Sequence, residues 1–408
     1  MRWKPLLSLL ALSGILSLAP SAWGAPKYKV LHAFTGGTDG GGLWGSLVLD
    51  SRRNVYGTTT AGGAYGGGTA FELARNGDGT CSQKILYNFC SQSGCTDGGG
   101  STAGMMFDSV GNLYGTTRLG GAYDYGTVFE LTPQSDGSWD ETVLHSFDKQ
   151  DRVTTPYAGV VMDPSGNLFG TGAGWAYELS PGSSGWTLTG LHSFTCEHGD
   201  GCGPIAGVIL DAAGSLYGTT QHGGSSKNCG GGCGTVYQLT PTSGGKWKET
   251  VLHRFQAGGG GAGPGVGTLA LDRYGSLYGT TGGGGTGSGV VFRLSPGTDG
   301  HWRETVLYDI PGGAAGDHPS AGVVMDKAGN LYGTTIAGGD PNCDCGVVFK
   351  LAPPEGKGKW KYTVLHRFTG YDGAQPDANL VLDSQGNLYG TTATGGAGGY
   401  GVAFEVIP

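Results

Sequence analysis

Charge is scarce in this 408-residue chain. Lys, Arg, Asp and Glu make up 14 % of it, and the formal net charge is −8. No basic stretch is present to neutralise phosphates, which argues against nucleic acid as a partner. Beyond residue 24 no apolar run is long enough to span a bilayer. No segment sustains the 3.6-residue period of an amphipathic helix. Helical architectures, and membrane-crossing helices beyond the leader, therefore fall away. What is abundant is glycine, 86 residues, a level that without order would indicate low complexity.

The glycines do have an order. A variant of Asp-x-x-Gly-Asn-Leu-Tyr-Gly-Thr-Thr begins at Asp50, Asp108, Asp163, Asp211, Asp272, Asp326 and Asp383, at successive separations of 58, 55, 48, 61, 54 and 57 residues. Such a period marks a repeat architecture. Each repeat holds four β signals, which we call A to D. In the second repeat these are Met105-Met106-Phe107, Asn112 to Thr117, Thr127 to Leu131, and Trp139 to Phe147. β-branched and aromatic residues fill these runs, and Gly, Pro, Asp and Ser separate them. A β-helix would want shorter repeats and parallel strands. Seven units of four antiparallel strands instead predict an all-β fold, a seven-bladed β-propeller of four-stranded antiparallel blades.

The two ends complete this reading. The first 24 residues carry Arg2 and Lys4, an apolar run from Leu6 to Ala19, and small residues around Gly24. That is the pattern of a secretory signal peptide, 1–24, followed by a single propeller, 25–408. The propeller opens on a D-type strand, 28–34, and finishes on a C-type strand, 401–407. Their antiparallel pairing is predicted to close the ring and leave no open seam. Export, to the periplasm or beyond the cell, also fits the cysteines. Eight of nine fall into close pairs, Cys90 with Cys95, Cys196 with Cys202, Cys229 with Cys233 and Cys343 with Cys345, and are expected to be disulfides. Zinc would need four soft ligands converging, whereas these pairs sit in different repeats. Cys81 stands where other repeats carry Trp139, Trp186, Trp247, Trp302 or Trp360, so it reads as a packed free thiol.

Most repeated residues have structural explanations. The Asp of each motif can accept from backbone N–H groups two residues on. The following Gly supplies positive φ, with Arg53 as the exception. Mid-strand glycines such as Gly57 and Gly115 suggest close approach by a neighbouring blade. His32, His145, His192, His253 and His366 share one position in strand D with Tyr87 and Tyr308. That interchange points to aromatic, hydrogen-bonded packing rather than catalysis or metal binding.

From Val-Leu-His-Ser-Phe through Asp-x-x-Gly-Asn-Leu-Tyr-Gly-Thr-Thr to Gly-Thr-Val-Phe-Glu-Leu-Thr-Pro, the residues resemble the GloVer tandem repeat of exported bacterial proteins. The resemblance covers the chain after the leader. It implies export and a propeller-like array, and it carries no catalytic residue and no reaction.

Function is then sought where the repeats differ. The A–B turns are short and nearly uniform, whereas the D–A and B–C loops vary and hold all eight paired cysteines. Loops on a rigid scaffold carry function, so this face is the expected binding face. In the third repeat Gly170 lies only 7 positions before Tyr177, against 14 between Gly115 and Phe129, which predicts a notch holding Trp175. Glu197, His198, Asp200 and His222 lie beside it in ring order. A second polar set is Asp317, His318, Asp340 and Asp344. Both sets are candidates for a ligand or a divalent ion, although no spacing matches a metal motif and no cofactor is expected. Trp44, Tyr123, Tyr157, Trp175 and Tyr371 are candidate platforms for a glycan or peptide. The sequence predicts a monomeric, secreted binding module for a glycan, peptide or protein. A carbohydrate- or lactone-directed lyase or hydrolase, and a structural envelope protein, are the alternatives. No converging acid–base pair marks an active site.

Overall fold

The computed structural model describes residues 25–151 and 155–408; the predicted signal peptide lies outside them. Seven antiparallel blades of four strands follow one another around a ring, the fifth with a short added strand, Ala262–Pro264. The second blade, for example, contains Met106–Phe107, Leu113–Thr117, Thr127–Pro133 and Trp139–Ser146, paired in that order. The ring closes as expected. Lys27–Ala33 pairs antiparallel with Val402–Ile407 and supplies the outer strand of the seventh blade.

The core is divided rather than central. Seven clusters of buried side chains occur, and each lies between two successive blades. Their shared feature is a ring pair. The strand D Phe of one blade meets the strand C ring of the next: Phe34 with Phe71 at 5.0 Å, Phe89 with Phe129 at 5.1 Å, Phe147 with Tyr177 at 5.3 Å, Phe194 with Tyr237 at 4.6 Å, Phe255 with Phe292 at 5.2 Å, and Phe368 with Phe404 at 5.3 Å. Ile310 takes the place of Phe in the remaining seam. Offset and edge contacts at these spacings are favourable beyond the area they bury.

This packing revises the role expected for the mid-strand glycines. A Cβ on Gly115 would sit 2.5 Å from Cζ of Phe129, and one on Gly57 2.7 Å from Cζ of Phe71. The crowding ring belongs to the same blade, on the residue paired across from the glycine. The neighbouring blade acts indirectly, pressing that ring down onto the glycine.

Two further devices join the blades. In four blades the first threonine after the mid-strand glycine donates to a backbone carbonyl of the next blade: Thr58 to Ala103 at 2.8 Å, Thr116 to Ala158 at 3.0 Å, Thr171 to Ala206 at 2.9 Å, and Thr280 to Ala321 at 2.6 Å. Thr391 does the same to Gly45 across the closing seam, at 3.2 Å. Arginine ties that seam as well. Arg75 pairs with Glu405 at 2.9 Å, and Arg53 donates to Gln385 at 2.7 Å. Arg53 adopts φ of 66°, a backbone that costs a non-Gly residue roughly 1–2 kcal/mol. Its bond to the last blade explains why this repeat alone departs from glycine.

The turn chemistry is as expected. All seven motif aspartates accept from the backbone two and four residues on, as Asp108 does from Val110 and Asn112, both at 2.9 Å. These turns line the face opposite the long loops.

Candidate functional site

At six of the seven junctions the D–A loop of one blade is bridged to the B–C loop of the next. Short bridges join Gly41 to Ala61, Gly99 to Leu119, Cys202 to His222, Ala262 to Gly283, Asp317 to Ala337, and Ala374 to Thr394. Both loop classes therefore share one face. All four expected disulfides are formed on it, including Cys343–Cys345. They stiffen Gly-rich segments that have little core of their own, and they mark an oxidising, non-cytoplasmic environment. Cys81 is a free, partly buried thiol, packed in the cluster between the last and first blades and pushed up in pKa by burial. No helix among the described residues is long and apolar enough to cross a membrane.

Behind this face lies a central cavity of about 780 Å³. Its wall is mostly the backbone of the Gly- and Ala-rich segments leading into strands A, with aliphatic side chains below. Trp44 and Tyr157, each 41 % exposed, and Arg118 stand at its mouth. The Arg118 guanidinium lies 5.4 Å from the centre of the Tyr157 ring. Asn379 breaks the pattern of small residues. It occupies the place held by Gly104, Gly159 and Gly322 in other repeats. Its Oδ1 accepts from the Gly322 amide at 2.7 Å, and its Nδ2 donates to Thr268 Oγ1. One side chain thereby links three blades inside the cavity. Beside it, burial pushes the Asp377 carboxyl up in pKa, against a bond from Ser320.

The polar sets read from sequence do not assemble as expected. Trp175 closes a tight hairpin with Gly172, which confirms the shortened loop. Its ring lies over Gly190 of its own blade, however, and packs into the seam between blades two and three. Glu197 and His198 point outward, with side chains 74 % and 94 % exposed. Asp200 turns away from them. Its Oδ2 accepts from the Thr195 amide and hydroxyl at 2.8 and 3.1 Å, and its Oδ1 lies 3.5 Å from His192 Nε2. His222 is exposed on the strand paired with Cys202. In the second set, Asp317 pairs with His318 at 2.8 Å, Asp340 caps the Asn342 amide, and Asp344 accepts from the Gly338 amide. Asp340 and Asp344 border a small hollow of about 150 Å³. Tyr371 is 91 % exposed and Tyr123 is 59 % exposed.

The strand D histidines have a consistent setting. Each packs edge-on against the Phe two residues later, as His145 does on Phe147 at 5.0 Å. His145 and His366 bond Asp151 and Asp372 of the following loop at 2.8 and 3.0 Å. Tyr87 likewise donates to Asp97, at 2.9 Å. Sequence reasoning missed the residue that each of these pairs faces, the third position of the next strand D. Here Tyr28 stacks on His366 at 3.7 Å and Tyr362 on Tyr308 at 4.4 Å. Glu141, Glu249 and Glu304 fill the same position in other blades.

Two of these glutamates give the ring a pH response. Burial, reinforced by Asp97, raises the Glu141 carboxyl to about 8, and burial raises Glu304 to about 7. A carboxyl raised on folding contributes stability below its unfolded value that is lost as pH rises through the folded one. Glu141→Gln should therefore gain melting temperature over the parent progressively between about pH 5 and pH 8.5. Melting curves of both proteins across that range test this. A difference that does not change with pH would contradict it.

Fold and cavity together define a seven-bladed propeller with a central chamber open on its loop face. The sequence profile described as the Gloeobacter/Verrucomicrobia repeat matches residues 15–173 and 230–408, and the chain belongs to that family. No curated protein matches the sequence. Among solved structures, virginiamycin B lyase from Staphylococcus aureus is similar, with a TM-score of 0.56 and 13 % identity over 94 % of this chain and 99 % of that one. An ancestral GH74 enzyme is also similar, with a TM-score of 0.57 and 11 % identity over 91 % of this chain and 48 % of that one. At such identities the likeness is one of fold.

Proposed function

We propose that this protein is an exported binding module that takes a ring-shaped ligand, a carbohydrate above all, into the central cavity from the loop face. The observation that carries the reading is the chamber of about 780 Å³, within the size range of small-molecule sites. Trp44 and Tyr157 at its mouth offer flat apolar faces, and Arg118 offers donors beside one of them. Apolar walls with a few placed polar groups are the usual make-up of such sites. Asp377, with Asn379 beside it, supplies polar groups in the wall.

The lyase and hydrolase readings have less support. Among the described residues the cavity wall includes one carboxyl, Asp377, and no imidazole. Glycoside hydrolysis ordinarily uses two carboxyls flanking the bond. A glycan array followed by titration of the best binder tests the proposal. Trp44→Ala and Tyr157→Ala should each weaken binding about tenfold, the equivalent of losing one aromatic contact. His198→Ala and His222→Ala should leave it unchanged. The reverse pattern would move the site to the loop rim, and recovery of cleaved sugar would favour the enzyme.

A further inference from the structure

We propose that His192, Asp200 and Glu249 form a binding site for one divalent transition-metal ion, zinc in type, that clamps the third blade to the fourth. The site lies at the outer seam, apart from the central cavity. Nε2 of His192, Oδ1 of Asp200 and Oε1 of Glu249 are each buried and lack a hydrogen-bond partner. One ligand-type atom from each of the three residues lies within 4.8 Å of the others. Among the described residues this is the only such set of three or more.

Three unpaired polar atoms in one place require a reason. A buried group without a partner costs on the order of 1–3 kcal/mol; other seams leave a single such oxygen, that of Glu141 or Glu304, and among the described residues three meet only here. At the seam of the first and second blades, Asp97 accepts from the Tyr87 hydroxyl and from the Ser91 amide and hydroxyl. At the seam of the sixth and seventh, His366 bonds Asp372 directly at 3.0 Å, and a tyrosine covers the pair. Between the third and fourth blades the equivalent His192–Asp200 separation is 3.5 Å, and a carboxyl faces the gap. A cation there satisfies all three atoms together.

The donor set selects the ion. One imidazole nitrogen and two carboxylate oxygens suit zinc and its neighbours, whereas calcium favours an all-oxygen shell of six to eight ligands. Zinc bonds of about 2.0–2.2 Å place donors closer together than the present outer limit, an approach that small side-chain rotations supply. Two carboxylates and a neutral imidazole balance a charge of two, and water completes a tetrahedron. Asp200 is already oriented by Thr195, through the oxygen it does not offer to the ion. It also lies in the loop closed by Cys196–Cys202. The clamp would thus fix that disulfide loop to the neighbouring blade.

The ring itself supplies the test substitutions. Tyr stands at the position of His192 in two other blades, as Tyr87 and Tyr308, and Gln83 stands at the position of Glu249 in the first. His192→Tyr and Glu249→Gln therefore each place at the seam a residue that the fold already accommodates there. Full-length, disulfide-intact protein is stripped with a chelator and titrated with zinc chloride and, separately, calcium chloride by calorimetry, with melting curves in parallel. The parent should bind one zinc ion, melt at a higher temperature with it, and show no comparable response to calcium. Each variant should melt near the apo parent and bind zinc more than about 100-fold more weakly, beyond the loss expected from disturbing a residue that only orients a ligand. His198→Ala with His222→Ala should bind as the parent does. No stoichiometric zinc binding, equal binding by the seam variants, or loss only in the exposed-histidine variant would each overturn the proposal.

Discussion

Removal of residues 26–35 is expected to lower the melting temperature of the entire ring by about 10 °C or more. The segment carries buried Leu31 and Phe34, and Phe34 is the strand D member of the ring pair with Phe71. Losing a buried Phe costs roughly 3–5 kcal/mol and a buried Leu roughly 2–5. At about 2 °C per kcal/mol for a chain of this order of size, those two side chains alone account for most of the shift. The truncation also strips Val402–Ile407 of its partner strand and exposes a sheet edge. Because every blade is held by its neighbours, the loss propagates around the ring instead of staying in one blade. Differential scanning calorimetry of the truncated and full chains decides the matter. Equal melting temperatures would mean that the N-terminal strand does not hold the ring closed.

A second large effect is expected from Gly126→Ala. Gly126 precedes strand C of the second blade with φ of 91°, and a Cβ there would lie 2.2 Å from the carbonyl oxygen of Thr117. The backbone conformation is unfavourable for alanine by roughly 1–2 kcal/mol. The contact is with the main chain, which no rotamer change relieves, so a total of about 3–5 kcal/mol is expected. Gly111 provides the control. Its φ is 100°, yet nothing lies within 4 Å of the added carbon. Gly111→Ala should cost only the conformational term, roughly 1–2 kcal/mol. Denaturant unfolding of the two variants separates clash from conformation. Equal losses would show that Thr117 yields easily and that the contact does not fix the loop.

Local patterns made much of the fold readable. The motif aspartate, its glycine and its Asn-Leu-Tyr follow from turn chemistry within a few residues, and the bonds from Val110 and Asn112 to Asp108 show that chemistry directly. Close cysteine pairs were legible for the same reason. Ring closure was legible because the chain has a spare outer strand at one end and lacks one at the other. Seam chemistry was not. Glu249 meets His192 across 57 positions of sequence, and nothing in the immediate sequence of either residue announces the other. The mid-strand glycines misled for a related reason. A missing side chain shows that something approaches, without showing whether it comes from the same blade or the next. For the candidate site, a list of polar residues in one loop could not say which way each turns. Glu197, His198 and Asp200 are neighbours in sequence, yet Asp200 joins the seam while the other two face outward. Of the cavity residues, Trp44 and Tyr157 were legible as aromatic platforms, whereas Asn379 was not, although it stands where other repeats carry glycine.

The closing strand pair has a consequence for how the molecule can be presented. Lys27 pairs with Ile407, so the two ends of the ring leave it side by side. They do so among the C–D turns, on the side away from Trp44, Tyr157 and the cavity mouth. Immobilised through a tag or linker at either end, the propeller would stand with its open side toward the solution, leaving the chamber and the disulfide-braced loops unobstructed.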